Sequence, residues 1–129
     1  EDLRYGLREN VQGNELAKSP DFTADVSMTY ETSLSSGTLM TGILQYVHRG
    51  DFQQRVSNNS AVDAIDSYDL VNITLGFDFV GEWGLDFIIL NATDEDGVNS
   101  SMTDVFGVAA TGLELIPPRQ YMFRLSRDY

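Results

Sequence analysis

The chain has 129 residues and a formal net charge of −12, from 8 Lys and Arg against 20 Asp and Glu. This length predicts one domain at most, and the acidic balance argues against nucleic-acid binding, which needs a basic surface. The absence of cysteine excludes disulfides, thiolate zinc sites and a cysteine nucleophile. Apolar runs are too short for a transmembrane helix. Because the chain starts at Glu1 without a leader-like segment, we expect a processed protein or a piece of a longer one.

Alternation of apolar and polar residues with period two predicts five long β-strands. In chain order they span residues 22–32, 38–49, 67–79, 82–91 and 119–129. One face of each strand carries bulky apolar side chains, and the other mixes Asp, Asn, Thr, Gly and Arg. Strands of about ten residues suit a tilted membrane crossing, whereas soluble strands more often have about five or six. A membrane strand and a soluble sheet with one buried face both explain the alternation.

The connections between the strands alternate in length. Residues 33–37 and 80–81 form short turns, whereas residues 50–66 and 92–118 form long polar loops. Outer-membrane barrels have short turns at one end and long loops at the other. A soluble meander has no reason to sort its loops in this way. The connections therefore favour a membrane barrel.

Aromatic side chains cluster at both ends of the predicted strands, as expected for rings that prefer membrane interfaces. The candidate interface aromatics at the short-turn end are Tyr30, Phe79, Trp83 and Tyr129. Those at the long-loop end are Phe22, Tyr46, Tyr68 and Tyr121. A general preference of aromatics for strands would not place them at strand ends.

Four segments, in order, resemble motifs at the carboxyl-terminal end of the barrel in TonB-dependent receptors. They are Gly13-Asn14-Glu15-Leu16 with Pro20 and Tyr30, Ile65-Asp66-Ser67-Tyr68-Asp69-Leu70-Val71-Asn72, Leu90-Asn91-Ala92-Thr93-Asp94-Glu95, and Pro117-Pro118-Arg119-Gln120-Tyr121. Ala92 replaces the usual Leu, and Tyr129 stands where Phe or Trp is usual.

The resemblance implies an all-β fold: an antiparallel up-and-down meander of about five long strands, forming an open segment of a 22-stranded transmembrane barrel. Residues 1–129 would be the carboxyl-terminal segment, without the plug domain and most of the barrel. The family sits in the bacterial outer membrane and imports ferric siderophores, vitamin B12, haem or glycans. The expected partners are the rest of the barrel, the plug, the TonB complex through that plug, and outer-membrane lipid.

The last strand also resembles an outer-membrane sorting signal, which the barrel-assembly machinery recognises. Its alternating apolar residues are Tyr121, Phe123, Leu125 and Tyr129. Strand addition to an exposed edge is a physical route for such recognition. Simple lipid-facing hydrophobicity explains the same pattern.

Charged loop residues supply the candidate ligand contacts. Arg49, Asp51 and Arg55, in a loop that also carries Asp63, are candidates for contacting an anionic chelate such as a ferric siderophore. Ordinary solvation explains the same charges. His48, the single histidine, is a candidate for pH sensing or ligand contact, or is a solvated strand end.

Other charged residues suggest weaker sites. Asp94-Glu95-Asp96-Gly97 resembles the start of a calcium loop but lacks later ligands. Charges on the polar strand faces are candidates for contacting the plug or simply line a wet interior. They are Asp25, Glu31, Asp78, Asp86, Arg124 and Asp128. We expect no cofactor, no metal and no enzymatic activity, since no catalytic arrangement stands out.

Two alternatives remain open. A small complete outer-membrane barrel with a structural role would need about eight strands. A soluble β-sheet binding module would bury the apolar face as a core. If the chain is a barrel segment, we expect that alone it neither spans a membrane stably nor transports a nutrient, because open strand edges leave backbone groups unpaired in lipid.

Overall fold

The computed structural model describes residues 10–103 and 110–127. Within these ranges the chain forms β-strands and no helix, so it is all-β as predicted. The strands are β1 (Thr23–Ser33), β2 (Leu39–Arg49), β3 (Phe52–Gln53), β4 (Ala64–Ile65), β5 (Tyr68–Phe79), β6 (Trp83–Leu90), β7 (Val98–Thr103), β8 (Thr111–Leu115) and β9 (Gln120–Arg127).

Five strands form one antiparallel sheet with the order β1-β2-β5-β6-β9. These are the five long strands predicted from alternation, and each begins one residue later than predicted. Every long strand pairs with the next long strand along the chain, so the sheet is a meander. The prediction of a five-stranded antiparallel meander is confirmed.

The register aligns the apolar positions of neighbouring strands. Leu75 of β5 lies opposite Phe87 of β6, and Phe87 lies opposite Phe123 of β9. The Phe87 and Phe123 rings meet edge to face at 5.1 Å between centroids. One residue along, Asp86 lies opposite Arg124 on the other face. The aligned apolar residues of β5, β6 and β9 therefore share one face of the sheet, and the charged pair lies on the other face.

The two short connections are tight turns. In the β1–β2 turn, the Leu34 amide donates to the Thr38 carbonyl at 2.8 Å, and Gly37 has a φ of +83°. In the β5–β6 turn, Gly81 has a φ of +114°. These conformations favour glycine because it has no Cβ to clash with the backbone.

The two long connections contain short hairpins that the sequence analysis had treated as loops. β3 pairs with β4, with Phe52 opposite Ile65, and β7 pairs with β8. β3 and β4 have two residues each, too few to show alternation. Ser, Asn and Thr dominate β7, so no apolar stripe marks it.

The described residues belong to two compact units. The loop unit comprises Glu1–Thr23, Arg49–Tyr68 and Asp96–Ile116, and the sheet unit comprises Ala24–His48, Asp69–Glu95 and Pro117–Tyr129. The buried apolar side chains all lie in the loop unit: Phe52, Ile65, Tyr68 and Ile116. The buried residues of the sheet unit, within the described ranges, are Thr38, Gly84 and Asn91.

Tyr68 corrects one expectation. Its position at a strand end predicted an interface belt, but only 8% of it is exposed. An added Cβ on Gly97 would lie 3.2 Å from Cβ of Tyr68, so the backbone of residue 97 packs against this side chain. Tyr68 therefore belongs to the loop unit's core. Its position at a strand end did not reveal that neighbouring loops cover it.

Candidate functional site

Arg49 is held by contacts within the loop unit. Its guanidinium lies over the Phe52 ring, 4.3 Å from the centroid. It also donates to the side-chain oxygen of Asn99 at 2.8 Å and to the Tyr68 hydroxyl at 3.5 Å. A guanidinium over an aromatic face is a favourable cation–π pair. Arg49 thus joins the strand end to both long connections.

Arg55 pairs with Asp63, a carboxylate that is almost fully buried. Arg55 Nε lies 2.5 Å from Asp63 Oδ1, and 1% of Asp63 is exposed. Ser57 and the amide of Asn59 also donate to this carboxylate. Burial by itself raises the pKa of Asp63, but the bonds from Arg55, Asn59 and Ser57 outweigh burial and leave the pKa below its usual value.

Asp51 differs from the two arginines because its side chain is exposed. Within the loop unit Arg55 pairs with the Asp63 carboxylate, whereas the partners of Arg49 are the Phe52 ring and the neutral groups of Asn99 and Tyr68. The role of Arg49, Asp51 and Arg55 in binding an anionic nutrient stays a prediction. Asp63 was recognised only as a charged loop residue, because buried and solvated carboxylates look alike in a polar segment.

The β7–β8 hairpin presents apolar side chains that the sequence analysis did not select. Met102, Leu113 and Leu115 are 78%, 58% and 66% exposed. The period-two spacing of Leu113 and Leu115 was the available signal. Between them Glu114 accepts a bond from Ser100 at 2.6 Å. This bond, one from Asn99 and the charge of Lys18 hold the pKa of Glu114 below its usual value.

The described candidate aromatics at the short-turn end are exposed in the sheet unit. Tyr30, Phe79 and Trp83 are 62%, 44% and 44% exposed. Phe79 lies opposite Trp83, and Trp83 lies opposite Arg127, whose guanidinium is 5.3 Å from the indole centroid. Three of the four candidates at the short-turn end are therefore exposed and could contact an apolar environment. Tyr129 lies outside the described residues.

The predicted alternating apolar residues of β9 that the structure describes are exposed. Tyr121, Phe123 and Leu125 are 63%, 73% and 66% exposed. They lie opposite Ile89, Phe87 and Leu85 of β6 in that order. The final member of the candidate assembly signal, Tyr129, again falls outside the described residues.

Polar-face charges find partners inside the sheet unit. Gln45 donates to Asp25 at 2.9 Å and accepts from Asn72 at 3.0 Å. Arg124 Nε lies 2.7 Å from Asp86 Oδ2. Contact with a plug stays a prediction for these residues and for Glu31 and Asp78, while Asp128 lies outside the described ranges.

His48 also has a carboxylate partner. His48 Nδ1 lies 2.7 Å from Asp69 Oδ1, and the Tyr46 hydroxyl donates to the same oxygen at 2.7 Å. This cluster links β2 to β5 next to the apolar face. A local contact thus explains the histidine, and ligand contact or pH sensing stays a prediction.

The structure brings two of the quoted motifs together. Asp94 and Arg119 form an ion pair at 3.3 Å, and Asn91 donates to the Pro117 carbonyl at 3.0 Å. The Asp94 carboxylate is thus engaged by an arginine. Within residues 10–103 and 110–127, no group of three or more His, Asp or Glu is placed to hold a metal ion. No helix in these ranges is long and apolar enough to cross a membrane.

Comparison of the chain with protein-family models, with curated proteins and with solved structures finds no match.

Proposed function

We propose that this chain forms the carboxyl-terminal strands of a TonB-dependent receptor, an outer-membrane active transporter for a ferric siderophore or another large nutrient. The proposal rests on the sequence resemblance and on one structural observation, the uncovered apolar face of the sheet. On that face the exposed large side chains are Val26, Met28, Tyr30, Leu44, Tyr46, Ile73, Phe79, Trp83, Phe87, Tyr121, Phe123 and Leu125.

An exposed apolar surface of this extent needs an environment that covers it. In a soluble module that environment would be a core, yet no apolar side chain of the sheet unit is buried within the described ranges. Lipid suits the face with twelve exposed large side chains, whereas the opposite face mixes paired polar groups with only three, Leu39, Ile43 and Met122. The Asp86–Arg124 pair and the Asp25–Gln45–Asn72 chain supply that opposite face.

The strand edges imply the nearest partner. β1 and β9 are the outer strands of the five-stranded sheet. In lipid, unpaired backbone groups at an edge cost several kcal/mol each. In the proposed receptor, the rest of the same barrel pairs with both edges. The plug occupies the barrel interior, and the TonB complex acts through the plug. In this proposal the sheet supplies strands of the barrel wall, and this chain alone does not transport a nutrient.

A genetic experiment tests the transport function. The parent gene is deleted from the organism that carries it. Uptake of labelled ferric siderophores, vitamin B12, haem and glycan oligomers is then measured, with a TonB deletion as the reference. We expect at least one uptake to disappear in both strains and to return with the intact gene. Unchanged uptake of every nutrient in the gene deletion, with normal TonB-dependent loss, contradicts the proposal.

Reading the gene upstream of Glu1 is an independent test. A receptor of 22 strands requires about seventeen further strands and a plug in the same frame. An upstream frame that instead encodes an unrelated soluble domain favours the binding-module alternative.

A further inference from the structure

The β6–β9 pair lacks the tight turn that sets register in the β1–β2 and β5–β6 hairpins. β5 and β6 are joined by a tight turn at Gly81, and a tight turn fixes which residues face each other. β6 and β9 are separated by residues 91–119, a connection too long to do so. A slip of two residues would keep Phe123 and Arg124 on their own faces, so the alternation of side chains does not prevent it.

The residues that follow β6 and precede β9 make a set of specific bonds. The last paired residues at this end are Leu90 and Gln120. The next residues, Asn91 and Arg119, lie directly beyond them. We call Asn91, Asp94, Pro117 and Arg119 the base clamp.

Asn91 is the buried centre of the base clamp, with 4% exposure. Its side-chain nitrogen donates to the carbonyls of Glu95 and Pro117, both at 3.0 Å, and its side-chain oxygen accepts from the Glu95 amide at 2.8 Å. Its own amide donates to the Asn72 side chain of β5 at 3.0 Å. Its φ of +50° is a conformation that asparagine tolerates better than most residues.

Asp94 and Arg119 add a second connection. The Asp94 carboxylate accepts from the Arg119 amide at 3.0 Å and from its guanidinium at 3.3 Å. The same guanidinium donates to the Ala92 carbonyl at 3.3 Å. Because two of these bonds involve backbone atoms beside the strand ends, a shift of β9 along β6 would break them.

We infer that the base clamp sets the register of the carboxyl-terminal strand β9, acting as the substitute for a tight turn. Its residues act by positioning β9 along β6. Bonds to Asn72 anchor one side of the base clamp on β5, and bonds to Pro117 and Arg119 hold the start of β9. This role does not depend on the nutrient that the proposed receptor carries.

Cysteine pairs measure register directly, and this chain has no cysteine of its own. Ile88 lies opposite Met122, so cysteines at these positions report the native register. Cysteines at Ile88 and Gln120, or at Leu90 and Met122, face each other only after a slip of two residues in either direction. Directly opposite positions suit a disulfide, whereas positions two residues apart are too distant.

Each pair is placed in the full protein as the cell makes it, with other cysteines removed. The pairs are combined with Asn91→Ala plus Arg119→Ala, with the milder Arg119→Ala alone, or with Arg124→Ala. Arg124→Ala is the matched control, because it removes an ion pair of β9 outside the base clamp. Oxidation followed by mass spectrometry gives the ratio of native to slipped cross-links in the inserted protein.

We expect the double variant to lower the ratio about tenfold, Arg119→Ala to lower it less, and Arg124→Ala to leave it within twofold. Should the double variant yield no inserted protein, Arg119→Ala decides, since its side chain is partly exposed. An unchanged ratio in the clamp variants overturns the inference. An equal fall of the cross-link ratio in Arg124→Ala also overturns the inference, because the loss of any ion pair on β9 would then shift the register.

Discussion

The loop unit and the sheet unit place their apolar side chains in opposite ways. The loop unit comes from the more polar segments of the chain, yet it buries Phe52, Ile65, Tyr68 and Ile116, and the Asp63 carboxylate as well. The sheet unit contains the strongly apolar strands, yet within the described residues its apolar side chains are exposed or only partly buried. The loop unit thus has a buried apolar core, whereas the described residues of the sheet unit have none. Hydrophobic content alone does not locate a core.

Truncating the most deeply buried apolar side chain of the loop core should have the largest effect on the difference between the two units. Phe52→Ala should destabilise the loop unit by about 3–5 kcal/mol, the usual cost of truncating a buried Phe. Phe22→Ala is the matched control, since Phe22 belongs to the same unit and is 63% exposed. Hydrogen exchange of amides 52–68 in the full protein measures the effect. Equal amide protection in both variants would mean that burial of Phe52 does not stabilise the loop unit.

A charge on the sheet separates its two faces. Phe87→Arg should destabilise the protein in lipid vesicles by about 2–4 kcal/mol, because an arginine would face hydrocarbon. Ile88→Arg, one residue along on the other face, should cost much less. Unfolding free energies measured in denaturant on the vesicle-inserted protein give both values. Similar costs at the two positions would contradict a lipid-facing side.

The buried carboxylate of the loop unit is the next target. Asp63→Asn removes the charge that Arg55, Ser57 and the Asn59 amide bind. We expect a loss of about 1.5–3 kcal/mol, the range for hydrogen bonds to charged groups. The exposed Asp51→Asn should stay within about 0.5 kcal/mol. Hydrogen exchange of residues 54–63 reports each change, and matching values for the two variants would rule out the buried pair as a stabilising element.

Acid should act on the loop unit through the same carboxylate. The pKa of Asp63 is lower in the folded chain than its usual value, so its stabilisation is present above about pH 4. It is lost as the pH falls through the lowered pKa, where Asp63 gains a proton. The expected result is a fall in loop-unit protection below about pH 4 that is smaller in Asp63→Asn. An identical pH profile in the variant would exclude Asp63 as its source.

The sequence predicted the sheet well because its signal is local. Alternation located β1, β2, β5, β6 and β9 to within one residue at their starts, and two short turns fixed their order. The loop unit was harder to predict because its contacts join residues far apart in the chain. Arg49 contacts Asn99, and Phe52 pairs with Ile65, and no spacing rule links such residues.

The candidate site shows the same division. The exposure of Tyr30, Phe79 and Trp83 on one face follows from strand phase, which is visible in the sequence, while their place at a membrane interface stays a prediction. The contacts that Arg49 and Arg55 make within the loop unit depend on the tertiary structure, so the sequence alone did not predict them. Asn91 and Arg119 stood in two motifs whose contact only the fold reveals.

One measurement tests the lipid-facing sheet most directly. Single cysteines are placed along residues 84–90 of the full protein in its native membrane, spin-labelled, and exposed to oxygen or to a water-soluble nickel complex. We predict that Leu85, Phe87 and Ile89 favour oxygen, while Gly84, Asp86 and Ile88 favour the nickel complex, with a period of two. Labels at Leu85, Phe87 and Ile89 that are protected from both reagents, or that favour the nickel complex, would contradict the account.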